Sequence, residues 1–357
     1  MPPPREKRLR ICEKASPQAV TPTLPDLIKC AHIILPWLTP PELACVSCSC
    51  KTLRRLSETI AAGRAADASR SLEAFPIPFV NPTPDRRPYA YFLYTPSSII
   101  SPSTSHFTSH RQRWGSTGSG CSRSDLDRLI VDSGWSEGLG GNANGCDCER
   151  CDRGAEDEAS ACPCSGLEWA EMRRECGPGC NCVRECGNRV TQMGVSVKLR
   201  IVKDLRKGWG LQAGQLIRSG QFICEYAGEV VTTVEARRRQ KSYDGEAFAA
   251  GGGSSALLVV REHLPSRRAC LRLNIDATRV GNVARFMNHR CDGGNVWSRV
   301  VRSAGTVVPR LCLFASRDIP ENEELTFSYG QGCMEPDGRS CFCGAPGCFG
   351  VLPSEHT

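Results

Sequence analysis

The sequence predicts a mainly β protein with short helices, preceded by a helical N-terminal region and carrying a cysteine-rich segment held by metal. Three observations predict this. Residues 23 to 75 repeat apolar side chains at spacings of three and four, the period of an amphipathic helix. From residue 195 onward the chain breaks into short β-rich runs separated by glycine-containing turns. Between these regions, nine of the 23 cysteines fall between residues 146 and 186.

Composition narrows the class. A chain of 357 residues that is 40% hydrophobic and 23% charged suits a soluble globular protein of two or three domains. The most apolar early run, CAHIILPWL at 30 to 38, is interrupted by Pro36 and is far shorter than the roughly 20 residues that cross a bilayer. No targeting segment is evident, so the expectation is a non-membrane protein. Clustered cysteines without a secretion signal favour metal over disulfides, and a reducing compartment.

In the N-terminal region, Pro40 and Pro41 are placed to open a helix at Glu42. The run LPWLTPPELACVSCSCKTLRRL, residues 35 to 56, loosely resembles an F-box, which would imply a Skp-type partner; a helical hairpin packed on the rest of the chain is the alternative. Cys45, Cys48 and Cys50 read as small buried apolar side chains rather than ligands. Residues 76 to 125, rich in Pro, Ser and Arg and holding an aromatic knot, YAYFLY at 89 to 94, read as a partly ordered connector. Further on, VSVKLRIV, QFICEYAGEVV, LRLNID and RLCLFASRDI read as strands, EARRRQKSY as a short solvated helix, and AFAAGGGSSA as a loop too rich in Gly for either.

The thiol count is specific. Cys146, Cys148, Cys151, Cys162, Cys164, Cys176, Cys180, Cys182 and Cys186 are odd in number, so they cannot all pair as disulfides. Three tetrahedral zincs need about twelve ligand positions, which nine thiolates fill if three of them bridge. The segment holds hardly any apolar residues beyond Leu167, Trp169, Met172 and Val183, so metal must supply its stability. Each structural zinc is worth on the order of 10 kcal/mol, against about 2 kcal/mol for each such side chain.

Near the C-terminus, CFCGAPGC places Cys341, Cys343 and Cys348 one thiolate short of a closed tetrahedral site. Cys291 or Cys333 could complete it. Three zincs with nine thiolates carry a net −3 and one with four carries −2, which lowers the formal +7 to about +2. Overall basicity is therefore no argument for DNA binding. The local runs REKRLR at 5 to 10 and ARRRQK at 236 to 241 are either solvated or a nucleic-acid or nuclear-import signal.

The nine-thiol segment is followed in order by GNRVTQMG, KGWGLQA, EYAGEV, NVARFMNHRC, ELTFSYG and CFCGAPGC. Over residues 140 to 350 this resembles a pre-SET, SET and post-SET protein lysine methyltransferase of the suppressor-of-variegation group, most nearly the plant SUVR class. The resemblance implies a SET-type β fold with a pseudoknot-like active site, flanked by a three-zinc cluster and a one-zinc tail. The divisions expected are 1–125 for the N-terminal region, 126–194 for pre-SET, 195–331 for SET and 332–357 for post-SET. It also favours Cys291 as the fourth ligand, making the tail one wall of the pocket.

By the same resemblance, S-adenosylmethionine is the cofactor, the histone H3 tail the substrate with its ninth residue the usual target, and chromatin in the nucleus the setting. Gly208, Trp209 and Gly210 should border the cofactor, Asn288 and His289 should hydrogen-bond it, and Arg285 and Phe342 should belong to its site. Tyr329 matches the catalytic tyrosine, Tyr226 one lining the lysine channel, and Phe327 the position that carries Phe or Tyr. Phe there leaves room for a further methyl group, so products beyond monomethyl-lysine are expected. Three departures stand out: Arg290 where Ser is usual, DGGN for DPN, and Ser328 for Asp. SSALLVV also lacks an aromatic near Ala256. These departures keep two rivals open, a weak or inactive SET-fold binder of histone tails and an F-box adaptor.

Overall fold

The computed structural model describes residues 24–85, 87–100, 145–149, 151, 162, 164, 172–250, 255–263, 270–306, 308–330 and 338–353. Two compact units divide between Ala61 and Ala62. The first comprises α1 (Leu24–Ile34), a single 3-10 turn, α2 (Pro40–Ser47) and most of α3 (Lys51–Ala66). Pro40 and Pro41 occupy the first turn of α2, where a missing N–H costs nothing, and the Thr39 N–H donates to the Glu42 carboxylate at 2.7 Å. Ala31, Leu35, Leu43 and Leu53 form its core.

Two expectations fail here. Cys45 and Cys48 are exposed rather than buried: α2 turns Leu43 inward, so Cys45 two residues on faces the opposite way, and Cys48 lies just past the end of the helix. The helical reading to residue 75 is also too long. Helix α3 ends at Ala66, and the next side chain, Asp67, takes the N–H groups of Ser69, Ser71 and Ile77 at 2.9, 2.7 and 3.0 Å, replacing helix bonds with a turn.

The second unit is mainly β, as expected. Its described part of residues 76–125 is structure rather than connector. Strand β1 (Phe79–Val80) runs parallel to β5 (Leu199–Asp204), β2 (Leu93–Tyr94) to β10 (Cys270–Gly281), and β3 (Ile99–Ile100) to β8 (Gly228–Val231). The aromatic knot is the reason: Phe79, Phe92 and Tyr94 find edge-on and tilted ring partners in the fold, including Phe286, and could not stay solvated cheaply.

Strand β5 pairs antiparallel with β6 (Gly208–Ala213). A second sheet runs β2-β10-β8-β3, with β9 (Leu257–His263) also on β10. A third runs β4 (Met172–Glu175), β12 (Val296–Ser303), β13 (Arg310–Ala315) and β7 (Phe222–Glu225). Strands β6, β9 and β12 were not read from the sequence. Helix α4 (Thr233–Ala250) is longer than the expected EARRRQKSY and takes in the start of the predicted loop.

Fully buried Leu199, Ile201, Leu211, Ile223, Ile275, Leu313 and Ile319 join these sheets into one core. A buried ionic centre ties the cysteine-rich segment to it. The Glu175 carboxylate accepts from Thr191 N at 3.0 Å, Thr191 Oγ1 at 2.8 Å, Gln192 Nε2 at 3.1 Å and Arg310 Nη2 at 3.3 Å. Such a carboxylate is tolerated inside because both of its oxygens accept hydrogen bonds and Arg310 pairs with it.

Candidate active site

Two short strands, β11 (Asn288–His289) and β14 (Thr326–Phe327), lie parallel although their pairing partners stand 38 positions apart in the sequence. Arg290 N–H donates to the Phe327 carbonyl at 3.1 Å and Asn295 N–H to the Thr326 carbonyl at 3.1 Å, so two segments distant in sequence are drawn together. Their junction brings Asn288, His289, Phe327 and Tyr329 together.

The buried His289 ring is spent on both nitrogens. Nδ1 accepts the Tyr329 backbone N–H at 3.1 Å, and Nε2 lies 3.3 Å from Cys291 Sγ. Its side chain therefore links a thiol to the tyrosine strand. Burial pushes its imidazole pKa down, which keeps the ring neutral.

Tyr329 donates its hydroxyl to the Met287 carbonyl at 2.9 Å, and its ring stands 5.2 Å from those of His289 and Phe327. Tyr226, in the turn between β7 and β8, donates to the Ala256 carbonyl at 3.0 Å. Burial pushes the Tyr226 phenol above its ordinary value, and loss of water around the hydroxyl does the same for Tyr329, although 36% of that residue is exposed. Phe327 is buried. These rings make an apolar wall with two fixed hydroxyls.

Gly208 has φ of +79°, and a Cβ added there would meet nothing within 4 Å, so the backbone fronts open space that a ligand can use. At Gly210 a Cβ would come within 2.9 Å of Glu324 Oε1 and 3.1 Å of Asn288 Nδ2. The Trp209 indole packs edge-on to Phe79 at 5.3 Å, and Lys203 Nζ stands 5.2 Å from its ring, so the side chain helps to secure β1. Arg285 likewise lies 4.9 Å from the rings of Phe92 and Phe286 and donates to the Thr278 carbonyl at 3.1 Å, which makes it a brace behind Asn288. Phe342 is half exposed beside the thiols of the tail.

The four thiols of Cys291, Cys341, Cys343 and Cys348 lie within 4.8 Å of one another, a set that can hold a tetrahedral metal ion. Cys291 is thus placed as the fourth partner, and Cys333 lies outside the described residues. Burial raises the Cys343 thiol, but the backbone N–H groups of Cys291 and Ala345 and the neighbouring thiols draw it down to about 6, toward the thiolate that ligation requires.

In the nine-thiol segment three overlapping groups, Cys146-Cys151-Cys176-Cys182, Cys146-Cys162-Cys164-Cys176 and Cys146-Cys148-Cys151-Cys162, meet the same limit. Shared members are what bridging thiolates require. Cys180 Sγ lies 3.6 Å from Cys164 Sγ, and Cys186 is buried in the same cluster. Arg189 donates to the Gly177 carbonyl at 3.0 Å and reaches Cys182 Sγ at 3.4 Å, a buried cation beside the thiolates.

Sequence reasoning missed Glu324. Its carboxylate accepts from Asn288 Nδ2 at 2.9 Å and pairs with Lys207. The only signal was its place four residues after Pro320 and just before LTFSYG, and a carboxylate there reads as solvated until the strand crossing is known.

A model of the SET domain matches residues 208–330. Over 349 residues the chain is 48% identical to the histone-lysine N-methyltransferase SUVR3 of Arabidopsis thaliana, a match covering 95% of this chain and 94% of that one. The chain belongs to the SET-domain histone-lysine methyltransferases. The plant SUVR likeness read from the motifs is thereby borne out, and so is the mainly β SET fold. A second methyltransferase of the family, tobacco SUVH1, named as H3 lysine-9 specific, is 36% identical over 188 residues, 52% of this chain and 26% of that one. Among solved SET methyltransferases, Arabidopsis SUVH6 in complex with SAM aligns with a TM-score of 0.55 at 26% identity, over 80% of this chain and 55% of that one.

Proposed function

We propose that this methyltransferase uses S-adenosylmethionine to methylate the histone H3 tail at its ninth residue, in the nucleus and on chromatin, and that it proceeds beyond the monomethyl product. The single observation that carries this is the junction of β11 with β14, which gathers Asn288, Phe327 and Tyr329 beside the four-thiol set. The H3 lysine-9 specificity of SUVH1 and the SAM held by SUVH6 support the target and the cofactor.

Gly208, Gly210, Asn288 and Phe342 would hold the cofactor, with the backbone rather than the ring of His289, while Trp209 and Arg285 support that wall. Three zincs in the nine-thiol cluster and one in the tail complete the protein, which divides into pre-SET 126–194, SET 195–331 and post-SET 332–357. When bound, S-adenosylmethionine supplies a methyl on a sulfonium that an amine displaces in line. A free lysine has a pKa of about 10.4, so presenting it neutral at pH 7 costs roughly 4 to 5 kcal/mol. The apolar wall of Tyr226, Phe327 and Tyr329 lowers that cost by disfavouring the ammonium and excluding water. Because the Tyr329 hydroxyl donates to Met287, its oxygen keeps lone pairs for the incoming amine and for charge at the methyl.

Two of the departures from the family pattern, Arg290 and Ser328, direct their side chains away from Tyr329. Arg290 turns to Asp292, with Nε–O distances of 2.8 and 3.0 Å, and Ser328 Oγ accepts the Gly330 N–H at 3.2 Å. Neither touches the bonds that fix Tyr329, which favours the enzyme over an inactive binder. Incubation with labelled cofactor and H3 peptides tests the proposal: incorporation should vanish when the ninth residue is replaced, and mass spectra should show di- or trimethyl product. Product that stops at one methyl under excess cofactor would refute the second part. Phe327→Tyr should shift product toward lower methylation.

A further inference from the structure

We infer that Glu324 is a positioning residue that sets the polarity of the Asn288 side chain, and that Lys207 makes this setting irreversible by holding the carboxylate's other oxygen. The inference rests on Asn288 facing the cofactor, as proposed above.

A carboxylate only accepts hydrogen bonds. With Glu324 Oε1 at 2.9 Å, the Asn288 amide must turn its NH2 toward it, and the carbonyl oxygen Oδ1 is then turned away. The ammonium and sulfonium of S-adenosylmethionine take acceptors while its carboxylate and adenine nitrogens take donors, so an Asn288 carbonyl turned outward suits the cationic groups. Glu324 is held to this task from three directions. Lys207 Nζ pairs with Oε2. Gly210, lacking a Cβ, lets the carboxylate and amide lie against β6. The Leu325 N–H donates to the Leu211 carbonyl at 2.7 Å, fixing the backbone at the next residue.

Replacing the carboxylate by its isosteric amide exposes the role of Lys207. In E324Q the ammonium of Lys207 keeps the amide's oxygen on its own side, so the new NH2 faces Asn288 and forces that side chain to flip, presenting a donor where an acceptor is needed. In E324Q/K207M nothing holds the amide, so it rotates and again accepts from Asn288. A merely structural role gives no such recovery.

Calorimetric titration of the full zinc-loaded protein with S-adenosylmethionine, with unfolding midpoints measured alongside, tests this. E324Q should bind at least about tenfold more weakly than the parent, as one lost or inverted charge-assisted hydrogen bond implies. E324Q/K207M should return to within about threefold of K207M, a margin under 1 kcal/mol. Should E324Q unfold, N288D/E324Q keeps the question open to measurement, since a carboxylate at 288 accepts from the amide at 324 and still offers an oxygen; it should bind better than N288A/E324Q. Parental affinity in E324Q, or equal weakness in E324Q and E324Q/K207M with unchanged midpoints, overturns the inference. If N288A itself binds as the parent does, the reading of Asn288 as a cofactor contact falls, and this inference with it.

Discussion

At the scale of the residue, Tyr329 carries the sharpest consequence. Its hydroxyl is fixed by Met287, and loss of water around that hydroxyl raises its ionisation above the ordinary phenol value. A group whose pKa is raised keeps its proton to higher pH, so Tyr329 stays neutral throughout the range in which a lysine substrate deprotonates. The pH profile of kcat/KM should therefore climb from pH 7 and show no descending limb below about pH 10, the ordinary phenol value. A fall between pH 8 and 9.5, with the protein still folded, would exclude the neutral phenol as the working form. Tyr329→Phe should lower kcat by at least about a hundredfold with little change in cofactor affinity, as loss of one oriented hydroxyl does.

At the scale of the element, strand β11 hangs between a metal site and a catalytic strand. Cys291→Ser should release one equivalent of zinc and depress turnover together, because the same thiol closes the tail and meets His289. Elemental analysis that still finds four equivalents would contradict the assignment. Helix α4 gives a pH test. Burial pushes the Asp276 carboxyl up, but Arg239, Thr278 and Tyr243 pull it further down, so the folded state prefers the carboxylate. That stabilisation is complete above the unfolded value near 3.9 and fades as pH falls through the lower folded value. Asp276→Asn should accordingly cost about 3 kcal/mol at pH 7, since Arg239 is left without one of its buried partners. The gap from the parent should narrow below pH 3.5 in denaturant titrations.

The elements also separate what sequence discloses from what it hides. Thiols are legible because their number and spacing must satisfy coordination; chemistry left Cys291 and Cys333 both able to complete the tail site, and the family resemblance chose Cys291, 50 residues from Cys341. Tyr329, Asn288 and Phe327 are legible as parts of ordered motifs. Strand β6 was overlooked because GWGLQA carries two glycines and no alternation, and only its pairing with β5 makes it a strand. The protein neighbours of the His289 and Trp209 rings, Cys291 and Phe79, are hidden because a side chain's chemistry is visible in sequence and its partner is not. Glu324 escaped for the same reason.

At the scale of the whole molecule, residues 79 to 100 belong to the SET core through β1, β2 and β3 and through Phe79 and Phe92. A fragment beginning at residue 126 removes them and should be insoluble or unfolded, whereas one beginning at 62 keeps the larger compact unit intact. Comparable unfolding midpoints for the two fragments would show that the early strands are dispensable.

The parallel pairing of β2 with β10 sets an order of events on the ribosome. Leu93 must wait for Val280 before it has a neighbour, while Cys186 has been made well before then. At roughly 5 to 20 residues per second, those thiols stand outside the tunnel for about 5 to 20 s with the central sheet still incomplete. Ion capture by the nascent segment thus precedes closure of the catalytic half, and cells short of zinc during translation should accumulate chains that no later supply of the metal repairs.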